Sequence, residues 1–116
     1  MKIAVLVKQV PGSESSLPLN NSKNWVDEST VTFVMNPPDN YALEEALQIK
    51  ESLKDSEVVA VSLGPERVKK VIREALAKGA DRGIHLQMET SGLIDPLSTA
   101  TIFAETLKSE DFDLIF

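Results

Sequence analysis

The chain has 116 residues, 42% of them apolar and 26% charged, with a formal net charge of −6 and no cysteine. That length suffices for one hydrophobic core and not two, and the missing thiols exclude disulfides, thiolate metal sites and thiol catalysis. An acidic balance without a Lys/Arg cluster argues against nucleic acid as a partner, and no apolar run approaches the ~20 residues of a membrane-spanning helix.

In chain order, Met1-Lys2 leads directly into KIAVLV at residues 2–7. This run is too short for a signal-peptide core, so the N-terminus reads as mature and cytoplasmic. Its unbroken apolar character predicts a central parallel strand buried on both faces. Residues 11–24, rich in Ser, Asn, Pro and Gly, form an exposed excursion. Residues 25–27 and 30–35 then read as the arms of a small hairpin turning near Glu28 and Ser29, so that a β-hairpin excursion is expected at about 25–35.

The stretch MNPPDNYALEEAL, residues 35–47, turns a β-branched run into an amphipathic helix within five positions. Asn36 is placed as N-cap, Pro37 suits the first helical position, and Asp39 complements the positive helix end. The helix is predicted from about Asp39 to Leu53, with Ala42, Leu43, Ala46, Leu47 and Leu53 as its apolar stripe. A second buried strand follows at 57–63, then Gly64-Pro65 opens a helix with Pro65 at its first position. In that helix Val68, Val71, Ile72, Ala75 and Leu76 repeat at helical spacing, and Gly79 is placed as its left-handed C-cap. A short strand is expected at 83–86, then a polar loop, then a third helix capped by Asp95-Pro96 and ending near Lys108. Residues 114–116 make a last strand.

The alternation of strands and helices predicts an α/β fold: an open, mostly parallel, Rossmann-like three-layer sheet with helices on both faces. In such sheets ligands bind at the carboxyl ends of the strands, where strand order reverses. Residues 7–11, 35–39 and 62–65 converge there.

Each candidate at that edge has a plainer counterpart. The Asn36-Pro37-Pro38-Asp39 turn either presents amides to a phosphate or simply caps its helix. Two prolines remove two donors, so an anion would need amides from Asp39 onward. Gly64 either lets a ligand approach the backbone or only makes the turn. Lys8 either meets a phosphate or is solvated, with Gln9 beside it. The phosphate-loop pattern G-x-x-x-x-G-K-[ST] and the dinucleotide fingerprint G-x-G-x-x-G are both absent. Residues 79–83 read as a turn at the opposite edge, His85 has no second histidine to complete a constellation, and adjacent Glu44 and Glu45 diverge by ~100° on a helix. No catalytic residue and no metal ligand is expected.

Taken together, KIAVLVKQVP, MNPPDNYALEEAL, VVAVSLGPERVKKVIREALAKGADRGIHL and DFDLIF resemble the N-terminal half of the electron transfer flavoprotein β subunit. The likeness runs through nearly the whole chain and is loosest over residues 11–35. The family implies an α/β nucleotide-binding domain that pairs with an α subunit, buries one AMP, and helps hold the FAD carried mainly by α. It implies a carrier, not an enzyme: electrons pass from acyl-CoA and related dehydrogenases to a membrane-bound quinone oxidoreductase. Carried over by position, the AMP contacts are Leu6, Asn36, Pro37, Pro38, Asp39 and Leu63. Pro38 stands where the family often has an aromatic residue. A G-x-Q-x-x-D loop normally follows the position of Phe116, so residues 1–116 read as the N-terminal part of a longer subunit. The alternatives are a bifurcating-type β subunit with a second FAD in place of AMP, and a stand-alone adenine-nucleotide binder of the universal-stress type.

Overall fold

A computed structural model describes residues 1–89 and 94–116. The polar loop expected before the third helix falls partly on residues 90–93, outside the described residues. Strand β1 (Lys2–Leu6) is followed by β2 (Gln9–Pro11), β3 (Phe33–Met35), helix α1 (Pro37–Ser52) and β4 (Glu57–Gly64). Helix α2 (Lys69–Lys78), β5 (Arg82–Gln87), α3 (Pro96–Leu107) and β6 (Leu114–Ile115) complete the order.

The main sheet has four strands in the order β5-β4-β1-β6, all parallel. Its centre is built from the two continuous apolar runs. Alternate residues of β1 and β4 feed opposite faces: Ile3, Val5, Val58 and Ala60 pack with Leu43 and Ala46 of α1 and Val71 and Ala75 of α2. Ala4, Val59 and Val61 pack with Leu107 and Phe103 of α3. Helices therefore cover both faces, as the unbroken hydrophobicity of these strands requires. Each Val or Ile so buried contributes about 1.5–3 kcal/mol.

The small antiparallel excursion is present, with a different pairing. Residues 33–35 pair with Gln9–Pro11 and not with 25–27. Val26 instead bridges Leu19, and Glu28–Thr30 is a 3-10 turn capped by Asp27. The N-terminal arm is thus the continuation of β1, which brings the excursion back to the strand it left.

Three boundaries shift for local reasons. Helix α1 starts at Pro37, both prolines fitting its first turn where amides have no helical partner. Leu53 lies beyond that helix as its C-cap and is 42% exposed. Pro65 does not open α2: its ψ of 173° is extended, a 3-10 turn over Glu66–Val68 follows, and the α-helix begins at Lys69. Gly79 closes α2 at φ +124°, as its spacing predicts. Gly83 belongs to β5 and not to the turn, and a Cβ there would collide with Ile72 Cγ2, so its missing side chain is what lets α2 approach the sheet.

Candidate functional site

From β1 the chain moves to β4 and β5 on one side and returns to β6 on the other. Above the carboxyl ends of β1 and β4 lies an open cavity of about 430 Å³, within the roughly 300–1,000 Å³ usual for small-molecule sites. Leu6, Asn36, Asp39 and Leu63, four of the six residues expected at a nucleotide, line it. Pro37 and Pro38 are exposed and are not among its described lining residues. Lys8, Gln9 and the Gly64-Pro65 turn complete the near wall.

The Asn36–Asp39 turn is held by its own groups. Asn36 occupies the N-cap position without a side-chain cap bond. A capping side chain needs an amide at the second or third helical residue. Pro38 has none, and the Asp39 N–H donates to the Asn36 carbonyl at 3.0 Å. Asn36 Nδ2 therefore turns to Asp39 Oδ1 at 2.8 Å, while Asp39 Oδ2 accepts the Lys8 N–H at 2.8 Å. The Asn36 N–H donates to the Lys8 carbonyl at 2.9 Å. The groups of this turn are thus engaged with one another and with the Lys8 backbone, and at the cavity it presents the Asp39 carboxylate.

Gly64 does make the second turn, at φ +151°, and a Cβ there would stand 2.8 Å from Val68 Cγ1. Its carbonyl lies 2.9 Å from His85 Nε2, which donates in the tautomer protonated there, and accepts the Met88 N–H at 3.1 Å. His85 is thus a brace for the turn. Glu44 and Glu45 are both exposed, Glu44 accepting from Gln48 Nε2 at 3.0 Å.

Sequence reasoning missed two parts of the cavity. Thr99 and Phe103 of α3 line it from the other face of the sheet. Their i,i+4 spacing marks them as neighbours, but only the side of the crossover tells which surface they meet. Arg67 also lines it, on the 3-10 turn after β4. Its Nη1 donates to Gln9 Oε1 at 2.6 Å and its Nη2 to Glu28 Oε2 at 3.1 Å. The guanidinium lies 3.8 Å from the centre of the Phe33 ring, a cation–π stack. The Trp25 indole N–H, with the Arg67 guanidinium adding to it, holds the Glu28 carboxyl below its usual value against the opposing effect of burial.

The whole arrangement is a mixed apolar and polar recess at the carboxyl edge of the sheet. The sequence model of the electron transfer flavoprotein domain matches residues 23–116. The chain belongs to the electron transfer flavoprotein family. An electron transfer flavoprotein subunit beta from Dictyostelium discoideum is 39% identical over 115 residues, covering 99% of this chain and 45% of that protein. The mitochondrial subunit beta of Arabidopsis thaliana is 42% identical over 116 residues, covering 100% and 45% respectively. The Homo sapiens subunit beta is 35% identical over 117 residues, with 99% and 46% covered. The chain therefore spans less than half the length of these electron transfer flavoprotein relatives. No helix among the described residues is long and apolar enough to cross a membrane.

Proposed function

We propose that residues 1–116 form the nucleotide-binding N-terminal part of an electron transfer flavoprotein β subunit and hold a structural AMP in the cavity above β1 and β4. The observation that carries this reading is the convergence of Leu6, Asn36, Asp39 and Leu63 on one recess at the carboxyl edge of a parallel sheet. Leu6, Leu63 and Phe103 supply apolar surface suited to a base, and Gln9, Asn36 and the Gly64-Pro65 backbone supply polar groups to orient it. Pro37 and Pro38 stiffen the wall from behind. The Asp39 carboxylate makes the Asn36 turn a poor place for the phosphate.

In this reading the chain is a carrier subunit without catalytic side chains. It pairs with an α subunit that holds most of the FAD, which supplies the electron-carrying chemistry. Acyl-CoA dehydrogenase-type donors deliver the electrons, and a quinone oxidoreductase receives them. The cysteine-free sequence suits the reducing cytoplasm.

The test is to purify the full-length subunit with its α partner, denature it, and identify the released nucleotides by mass spectrometry. One AMP and one FAD per heterodimer are expected. Two FAD, or no AMP, would overturn the assignment.

A further inference from the structure

We propose that Arg67 is a positioning residue that couples occupancy of the cavity to docking of the 11–35 excursion. The proposal rests on the AMP reading above. Arg67 faces two ways. Toward the cavity, it lines the recess and forms a reciprocal pair with Gln9, another lining residue: Nη1 donates to Gln9 Oε1 at 2.6 Å and Gln9 Nε2 donates to the Arg67 carbonyl at 3.3 Å. Toward the excursion, the same guanidinium stacks on Phe33 and pairs with Glu28, which in turn accepts the Trp25 indole N–H at 3.0 Å.

Among the described residues, the side-chain hydrogen bonds joining the excursion to the β4–α2 side are that from Arg67 to Glu28 and one longer contact from Lys70 Nζ to the Phe33 carbonyl at 3.5 Å. Arg67 Nε is buried with no hydrogen-bond partner among the described residues, so the side chain is held by its tip and its stack, not along its length. Arginine is rich in rotamers, and fixing it has an entropic cost. A ligand that orders Gln9 and Arg67 from inside removes that cost for the excursion docking outside. The two events then favour each other without any further movement. Because coupling is reciprocal, loosening the excursion must weaken the ligand by the same factor.

Lys23, exposed at the tip of the excursion, gives a readout through tryptic cleavage. On the nucleotide-stripped full-length subunit in complex with its α partner, AMP should slow cleavage after Lys23 by about fivefold, the lower range of ordinary coupling. Arg67→Met should abolish that dependence on AMP, and Arg67→Lys should restore only part of it, since an ammonium cannot fork between Gln9 and Glu28. Glu28 is not among the described lining residues, yet Glu28→Gln should weaken AMP about fivefold in calorimetry. That last variant carries the test if Arg67→Met misfolds. AMP binding that leaves cleavage after Lys23 unchanged, or an unaltered affinity in Glu28→Gln, would overturn the coupling. Absence of AMP binding in calorimetry of the wild-type complex would bring down the nucleotide reading itself, and the coupling with it.

Discussion

Asp39 Oδ2 accepts the backbone N–H of Lys8 at 2.8 Å, joining the first turn of α1 to the segment just beyond β1. With Asn36 Nδ2 on its other oxygen, this carboxylate fixes two of the three chain segments that bound the cavity. Asp39→Ala leaves the Lys8 amide and the Asn36 amide without their acceptor and is expected to cost about 1–3 kcal/mol. Urea unfolding measures it, and AMP retention should fall in the same variant, since the wall loses its tie.

Filling the recess separates binding from folding. Leu63→Trp places a large ring where the β4 end meets the cavity, with Leu63 half-buried and bordering open space. The variant should fold with near-native circular dichroism and co-purify with less than a tenth of the wild-type AMP. Full nucleotide content would exclude this recess as the site.

Ser62 is fully buried, and its Oγ has no hydrogen-bond partner among the described residues. Its two neighbours along the same face of β4 that lead up to it are apolar, so the hydroxyl is desolvated without return. Ser62→Ala removes that penalty and is expected to raise stability by about 1 kcal/mol. A shift in thermal midpoint reads it.

Gly83→Ala goes the other way. The added methyl meets Ile72 Cγ2 and must push α2 off β5 or force Ile72 from its rotamer, at about 1–3 kcal/mol. Ile72→Ala placed in the same chain should recover part of the Gly83→Ala loss, and a double-mutant cycle isolates that term.

At the amino end of the sheet, Glu110 Oε2 accepts from Lys2 Nζ at 2.9 Å and from Arg82 Nη2 at 2.7 Å, and Arg82 Nε reaches Glu57 Oε1 at 2.7 Å. The hydrogen bond from Lys2, then that from Arg82, holds the Glu110 carboxyl below its usual value. A carboxylate lowered in the folded state stabilises the fold above its unfolded pKa and loses that effect as pH falls through the folded one. Thermal midpoints should therefore decline as pH drops below the ordinary Glu range near 4.3. Glu110→Gln should flatten that acid limb while changing little at pH 7, as expected for a solvent-screened network.

What was legible in the sequence was whatever has a local cause. Residues 2–7 and 57–63 declared themselves as central strands because burial on both faces needs an unbroken apolar run. Gly79 and Asp95 marked their helix ends through φ +124° and the Asp95 Oδ1 bond to the Ser98 amide at 3.0 Å. The convergence of three strand ends followed from those elements. The partner of residues 33–35 did not, because pairing across a long loop leaves no trace in either arm. Arg67 was hidden for a related reason: a charged residue beside a helix start reads as solvated until Gln9, Glu28 and Phe33 are brought around it.

The sheet register also carries a schedule. Lys2 is matched with Glu57, and Ile3 with Leu114, so β1 has both its sheet neighbours far downstream. During translation β1 leaves the ribosome as a bare apolar ribbon and stays unpaired until β4 has emerged, with its second edge waiting longer still. An unpaired β1 is adhesive for that interval, and residues 3–7 then offer a binding site to a chaperone that shields apolar segments.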